Sequence, residues 1–227
     1  MGIDPAEALL ARQRMLAGRH PEPWRPATEG PLLGGCWVCF PRGLTGPGDV
    51  GDPAWVAAVV MRSGSVVSSR VHTGVADAPY VAGLLALRIG RLLQQAVASL
   101  AVRPDVLLLD ATGRDHPRRA GLAIDLGEAV GLPTVGVTHR PLVAGGAWPG
   151  DGRGDAGPLR IGDEVVGAWL RTRAGARPLV VHPGWRTDTD TAVDVVLRCT
   201  RRRRTPEPLR RSRQLARQAR SDDTSPS

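Results

Sequence analysis

The sequence lacks lysine and asparagine altogether, although 30 of its 227 residues are basic. All of these are therefore arginine, and the joint absence of the two residue types is typical of the coding bias of a GC-rich genome. That bias explains the choice of arginine but not the excess of positive charge, which reaches +8. Such an excess favours a polyanionic partner, most simply nucleic acid, because arginine neutralises phosphates and releases counterions.

Long apolar runs are also missing, and no stretch approaches the roughly 18 residues that a membrane-spanning helix requires. The first residues, Met1 to Pro5, lack the basic-then-apolar order of a secretory signal. We therefore expect a cytoplasmic protein with no membrane association, acting as a monomer. The hydrophobic content of 42% is typical of a globular chain that is long enough to bury a proper core.

Cysteine is scarce, with three residues in the chain. Cys36 and Cys39 have the spacing of a redox or zinc motif, but no second such pair exists and structural zinc needs four ligands. The pair also lies in a predicted strand, where positions three apart point to opposite faces. We interpret Cys36, Cys39 and Cys199 as core thiols.

The most informative stretch is residues 107–121, in which an apolar run of strand length ends on Asp110. A histidine and two arginines follow it, His116, Arg118 and Arg119. Ligands of α/β sheets collect where strands end, because the loops there bring side chains and backbone N–H groups together. The pattern predicts a site for a phosphate or a metal-bound phosphate. The alternative is an aspartate that merely caps the next helix.

The remaining pattern predicts strands that first form a meander and then alternate with helices. The predicted strands cover residues 34–40, 55–61, 65–71, 104–110, 133–137, 164–171 and 179–181. The predicted helices cover residues 5–17, 84–100, 120–130 and 188–200, with a last helix after Thr205. This order predicts an α/β fold with a mixed sheet flanked by helices on both faces, of the ribonuclease H-like kind.

Three segments follow from this reading. Residues 1–29 form an N-terminal helix and a proline-rich linker, residues 30–220 form the main domain, and residues 221–227 are a disordered tail. A G-x-G-x-x-G match at residues 152–157 runs into Pro158 instead of a helix. We therefore interpret residues 144–157 as a glycine-rich loop and not as a nucleotide-binding motif.

Several short strings in a fixed order carry a family resemblance. They are Pro79-Tyr80-Val81, Leu109-Asp110 with Gly113, His116 to Ala123, Pro133 to Val137, Val181 to Gly184 and Pro206 to Arg210. Together they resemble the endonuclease V family, from about Gly34 to Ala216. The resemblance implies a ribonuclease H-like nuclease that uses Mg²⁺ to cut a phosphodiester of DNA near deoxyinosine, or of RNA near inosine. It also implies a Pro-Tyr loop that opens the strand and a pocket for the flipped base.

The family pattern implies roles for individual residues of this chain. Catalysis would involve Asp110 and His116, with Asp110 also as a metal ligand. The residues implied in nucleic-acid binding are Pro79, Tyr80, Gly83, Leu85, Gly113, Arg118, Arg119, Gly121, His139 and Arg213. Of the two arginines that follow His116, we expect one to pair with a carboxylate inside the protein and the other to face the ligand.

The chain departs from the family pattern at positions that the pattern assigns to metal binding and catalysis. The aspartate of the first strand is replaced by Trp37, the glutamate of the helix by Ile89 and the C-terminal histidine by Arg213. In addition, the family's lysine falls on His139, and Ala111 replaces a glycine. One carboxylate cannot hold Mg²⁺ tightly against its hydration shell. We therefore expect a nucleic-acid-binding protein with weak or no cleavage activity, in which Mg²⁺ binds weakly or not at all.

Two alternatives remain open. In the first, the chain is a working endonuclease in which Asp49, Asp52 or Asp115 replaces a lost ligand, although the turn position of Asp115 is expected to face solvent. In the second, it is a regulatory or interaction protein without nucleic acid, and its arginines are spread evenly over the surface. The run 201–204 is typical of a solvated surface, and it also suits contact with a DNA backbone.

Overall fold

A sheet of eight strands forms the centre of the molecule. The structure is a computed structural model, and it describes residues 4–26, 30–200 and 202–224. The strands are β1 (Leu33–Cys39), β2 (Pro53–Arg62), β3 (Ser65–Val75), β4 (Val106–Leu109), β5 (Thr134–Thr138), β6 (Ala156–Ile161), β7 (Glu164–Leu170) and β8 (Leu179–Pro183). The helices are α1 (Pro5–Ala17), α2 (Leu85–Ala98), α3 (Leu122–Val130), α4 (Thr189–Arg198) and α5 (Glu207–Thr224).

The strand order is β3-β2-β1-β4-β5-β8-β7-β6. The central pairs β1–β4 and β4–β5 are parallel, and the outer pairs are antiparallel. This arrangement confirms the predicted mixed sheet, including the meander of the first three strands. Because β1, β4 and β5 run in the same direction, their carboxyl ends meet at one edge, and the loop that contains Asp110, Gly113 and His116 starts there.

Helices cover both faces of the sheet, and alternate residues of β4 pack against the helices on opposite faces. Leu107 and Leu109 pack into the cluster formed with α2 and α3, whereas Val106 and Leu108 pack into the cluster that contains α4 and the start of α5. All four side chains are buried. This two-sided burial explains why β4 is continuously apolar, and it fixes the position of Asp110 at the end of the strand. None of the helices within the described ranges is long and apolar enough to cross a membrane.

Helix α5 lies close against the first strands, and glycine makes this contact possible. A Cβ atom on Gly35 would collide with the carbonyl group of Pro208, so only glycine allows the two backbones to approach. Leu209 and Ala216, seven residues apart, are buried on the inner face of the helix. The arginines of α5 consequently lie on its outer faces, and Arg213 reaches Trp37.

The thiols behave as expected. Cys36 packs in the cluster with α2, and Cys39 packs with Trp55 and Ala216 on the opposite face. All three cysteines, Cys199 included, are buried and free. Burial raises the pKa of the Cys36 thiol to about 12, which keeps it protonated and unreactive.

Two elements differ from the prediction. Strand β6 begins at Ala156, inside the stretch predicted as a loop, because its Pro158 masks the strand pattern. Proline is tolerated there since β6 is an edge strand. Helix α5 continues to Thr224, so the predicted disordered tail does not begin at Ser221. Residues 225–227, the linker residues 27–29 and Arg201 lie outside the described residues, and the division into segments stays a prediction.

Candidate functional site

A cavity of about 230 Å³ opens at the carboxyl ends of β1 and β4. Its walls are mostly apolar, and they include Trp37, Ile89 and Leu85 together with Tyr80. Asp110, directly after β4, is the one carboxylate among the described residues that line it. The structure therefore brings Trp37 and Ile89, the two residues that the resemblance assigns to ligand positions, to the same cavity as Asp110.

The charge on Asp110 is set by its surroundings. Solvent reaches its side chain, but the surrounding walls of the cavity remove enough water to raise the pKa of the carboxyl group above its ordinary value. The nearby side chains of His139 and Arg213 act in the opposite direction, because a positive charge there favours the carboxylate. The guanidinium of Arg213 lies over the ring of Trp37, 5.3 Å from the ring centroid, so a fixed cation stands beside the acid.

The Pro-Tyr loop places an aromatic ring at the mouth of this cavity. The Tyr80 N–H donates a hydrogen bond to the carbonyl oxygen of Pro47 at 2.8 Å, which fixes the backbone. The side chain itself remains 48% exposed. Leu85 begins α2 and lines the same cavity. Tyr80, Leu85 and Asp110, which the resemblance assigned to one site, therefore do lie around one cavity.

The carbonyl oxygen of Gly83 connects three parts of the chain. It accepts hydrogen bonds from Gln13 Nε2 on α1 at 3.0 Å, from Arg118 Nη2 at 2.7 Å and from His116 Nε2 at 3.1 Å. Gly83 has a φ of +78°, a conformation that L side chains rarely adopt. The loop that carries Tyr80 is thus held against the loop that follows Asp110.

His116 is neutral in this arrangement. Its Nδ1 accepts a hydrogen bond from the Arg118 N–H at 3.2 Å, so the hydrogen-bond network assigns the ring proton to Nε2, the atom that donates to Gly83. Burial lowers the pKa of the ring below its ordinary value, and the charge of Arg118 lowers it further. Both ring nitrogens are used inside the protein, so His116 fixes the two loops to each other.

The two arginines after His116 have different partners. Arg119, with a φ of +57°, forms an ion pair with Glu164 at the start of β7, at 3.2 Å. Arg118 bonds to Gly83 and to the side-chain oxygen of Gln13. One arginine does pair with a carboxylate, while the other binds the Tyr80 loop from inside the protein.

The glycines of the Asp110 loop are required by packing. A Cβ atom on Gly113 would collide with the carbonyl oxygen of Pro183. One on Gly121 would collide with the backbone of Thr112, and one on Gly136 with the carbonyl oxygen of Ala111. These contacts explain the family string on structural grounds, and the binding roles of Gly113 and Gly121 stay predictions.

Asp115 does not face solvent, contrary to the prediction. It is fully buried, and its carboxylate accepts hydrogen bonds from the backbone N–H groups of Leu142, Val143 and Ala144 at 2.7–2.8 Å. The prediction was wrong because the turn folds under the loop after β5, a contact between segments some 27 residues apart. Asp115 is thus an anchor for that loop, and its oxygens are occupied.

Asp52 is held in a similar way by a residue that the sequence reasoning missed. Arg88, buried on α2, donates from Nη2 to Asp52 Oδ2 at 2.6 Å and from Nη1 to the carbonyl oxygen of Ala78 at 2.7 Å. Its guanidinium also lies 4.2 Å from the ring centroid of Phe40. The hydrogen bond from Arg88 lowers the pKa of the Asp52 carboxyl. The signal was an arginine on the apolar face of α2, directly before Ile89.

The residues around Asp110 do not fit Mg²⁺. This ion requires several hard oxygen ligands in a near-octahedral arrangement. Within the part of the chain that the structure describes, no group of three or more His, Cys, Asp or Glu side chains is arranged to hold a metal. The places beside Asp110 are taken by apolar Trp37 and Ile89 and by the cation of Arg213.

The sheet order, the acid at the end of β4 and the Pro-Tyr loop facing it together define a ribonuclease H-like nuclease scaffold. The family model described as Endonuclease V matches residues 46–214. The chain belongs to the endonuclease V family.

Known proteins of the family support this assignment. An endonuclease V of Roseiflexus castenholzii is 41% identical over 172 residues, which cover 75% of this chain and 78% of that protein. The crystal structure of endonuclease V from Streptomyces avermitilis is 36% identical and superimposes with a TM-score of 0.87, covering 99% of this chain and 96% of that one. An endonuclease V of Ciona intestinalis, 21% identical, shares the fold with a TM-score of 0.81 over 96% of this chain and 98% of that one; it was solved with a 24mer DNA containing an inosine followed by a ribo-adenosine.

Proposed function

We propose that this member of the endonuclease V family binds nucleic acid but cleaves it weakly or not at all. The observation that carries the proposal is the cavity at Asp110, where Trp37 and Ile89 stand beside the single acid. Cleavage of the family type would need a divalent ion to neutralise charge on the leaving oxygen. Among the residues that the structure describes, no cluster of side chains offers a set of oxygens for that ion.

Electrostatics supports the same conclusion. A cation near Asp110 would gain the attraction of one carboxylate and meet the repulsion of Arg213, which Trp37 holds in place. Mg²⁺ also loses its bound water only at a high free-energy cost, and the attraction of a single carboxylate does not offset that cost. Arg213 instead places a positive charge beside the cavity, which suits a phosphate group.

The features that would hold a nucleic-acid strand are retained. Tyr80 offers a half-exposed ring at the mouth of an apolar cavity, and base stacking on such a ring contributes about 1–3 kcal/mol. The loop that carries it is fixed through Gly83, so little ordering is needed on binding. The ligand proposed is a strand of DNA or RNA, with deoxyinosine or inosine as the first base to test.

Neither competing function gains support from a specific contact. An endonuclease with relocated ligands would need further carboxylates near Asp110, whereas Asp52 binds Arg88 and Asp115 binds three backbone N–H groups. A protein without a nucleic-acid partner would not need an exposed tyrosine beside a cationic site.

Two assays on the same oligonucleotide test the proposal. In the first, deoxyinosine-containing DNA is incubated with the protein and Mg²⁺ or Mn²⁺, and the S. avermitilis endonuclease V serves as the positive control. We expect no nicking, or nicking slower by several orders of magnitude. In the second, binding is measured by fluorescence anisotropy with a chelator and then with Mg²⁺. We expect equal affinities that fall with added salt, and turnover comparable to that of the control would refute the proposal.

Substitution of Tyr80 tests the binding site itself. Tyr80→Ala removes the stacking ring and is expected to weaken binding about five- to one-hundred-fold, whereas Tyr80→Phe keeps the ring and serves as the matched control. Because the side chain is exposed, neither change is expected to alter the melting temperature by more than about a degree. Equal affinity of the Ala variant and the wild type would mean that the strand does not bind at this loop.

A further inference from the structure

A second groove of about 420 Å³ runs along the outer face of α5. One wall of the groove is formed by polar side chains from successive turns of α5. They are Arg210, Arg213, Gln214, Arg217, Gln218 and Ser221, and they form a polar stripe along the helix. Across from them stands the ring of Trp37. None of the described residues that line the groove carries a carboxylate, whereas the stripe has three guanidinium groups. The chemistry of this wall suits an anion.

Two of the three arginines form no ion pair with a described carboxylate. Arg210 is bound by Glu207, one turn earlier on α5. Among the described residues, by contrast, no carboxylate forms an ion pair with Arg213 or with Arg217. These two lie four residues apart, about 6 Å along the helix axis. The ring of Trp37 restricts Arg213, so a ligand would meet a cation that is already positioned.

The groove and the Asp110 cavity are neighbours. Trp37 lines both of them, and it is the residue through which they meet. A strand with one base at Tyr80 would therefore find the guanidinium groups of α5 on the far side of Trp37. The basic run of residues 202–204 precedes Thr205, another residue of the groove, so positive charge continues beyond it.

We propose that the α5 groove binds the phosphodiester backbone of the single strand whose base occupies the Tyr80 cavity, and that it does so without a metal ion. Arg213 and Arg217 each neutralise one phosphate, while Gln214 donates hydrogen bonds to phosphate or sugar oxygens. The inference rests on the proposed function, and it adds the path of the strand and the groups that hold it.

The test measures the salt dependence of binding. A fluorescent single-stranded oligonucleotide with one deoxyinosine is titrated with the wild type, Arg213→Gln, Arg217→Gln and the double variant, in a chelating buffer. For single strands each phosphate contact contributes about 0.7 to the slope of log K against log salt. Each single change is expected to lower the magnitude of that slope by about 0.7 and to weaken binding about fivefold at 0.1 M salt. In the double variant the two changes in slope are expected to add.

Two controls separate the groove from general charge. Arg14→Gln removes an exposed charge from α1, away from the groove, and is expected to leave affinity and slope unchanged. Arg217→Lys keeps the charge and is expected to keep the slope. Inorganic phosphate at millimolar concentration is added in a further arm. We expect no displacement beyond its contribution to ionic strength, and specific displacement would assign the groove to free phosphate and overturn the strand path.

The outcomes distinguish the two proposals. If the wild type binds the oligonucleotide and both glutamine variants bind with the same slope, the groove assignment fails and the proposed function stands. The groove assignment also fails if Arg14→Gln weakens binding as much as Arg213→Gln and Arg217→Gln do, because the effect would then reflect net charge alone. If the wild type does not bind the oligonucleotide at any salt concentration, the proposed function fails and the groove assignment fails with it.

Discussion

His116 Nε2 lies 3.1 Å from the carbonyl oxygen of Gly83, and this contact joins the loop after β4 to the loop that presents Tyr80. The histidine is 3% exposed, and its second nitrogen accepts the N–H of Arg118. A residue that the family pattern placed in catalysis therefore has, in this chain, a contact that determines where the aromatic ring stands.

Removal of this contact should loosen one loop more than the whole fold. His116→Ala leaves Gly83 with two donors, so we expect a loss of about 1–2 kcal/mol in unfolding free energy. Hydrogen exchange of the backbone N–H groups in residues 80–84 should accelerate well beyond that of α3. Equal acceleration of hydrogen exchange in residues 80–84 and in α3 would contradict a local role. Urea denaturation of the same variant measures the loss in unfolding free energy, against which the exchange rates are compared.

Asp110→Asn should stabilise the chain at neutral pH. Loss of water raises the pKa of the folded carboxyl, so the folded state favours the protonated form, and the wild type loses stability as pH rises through that pKa. The asparagine variant does not titrate. We expect its melting temperature to be higher at pH 7, by a few degrees at most because solvent reaches the group, and equal to that of the wild type near pH 3. A lower melting temperature at pH 7 would show that the carboxylate is needed by its cationic neighbours.

Acid should destabilise the fold through His182, which lies beside Asp115. His182 is fully buried, its Nδ1 lies 3.8 Å from Asp115 Oδ2, and burial lowers its pKa to about 4. Because the folded pKa is below the ordinary 6.5, the unfolded chain binds the proton first, and stability is lost as pH falls from 6.5 towards 4.

His182→Gln is the matching variant, since it keeps a donor for Thr138 but does not titrate. Its unfolding free energy, measured in urea at several pH values, should vary less than that of the wild type between pH 7 and pH 5. Some acid dependence should remain, because burial also lowers the pKa of His116. Curves of equal slope for the two proteins would count against this account.

Gly113→Ala should destabilise the chain severely. The added Cβ would meet the carbonyl oxygen of Pro183, a backbone atom that cannot turn away, so we expect a loss of about 3 kcal/mol or no folded protein. Gly18→Ala is the control, since a Cβ there has only an ordinary contact at 3.8 Å and φ is −82°. Thermal melts of the two variants check the difference, and similar melting temperatures would mean that the loop can move.

The sequence predicted those features that depend on local pattern. Continuous apolar character predicted β4, and the order of strands and helices predicted its burial on both faces. The family strings placed Trp37 and Ile89 beside Asp110, and both line its cavity. In each case, neighbours along the chain decide the outcome.

Contacts between distant segments were not predictable. The burial of Asp115 depends on a loop 27 residues later, and the carbonyl of Gly83 receives donors from α1 and from the Asp110 loop. No local pattern indicates which carbonyl a buried histidine or arginine will reach. Strand β6 was missed for a related reason, since an edge position tolerates a proline that would disrupt a central strand.

The contact of Gly35 with Pro208 places the backbone of α5 directly on that of β1, without an intervening side chain. The backbone contact with β1 therefore sets the axis of the helix, and a side chain on its outward faces, such as that of Arg213, can be exchanged without shifting that axis.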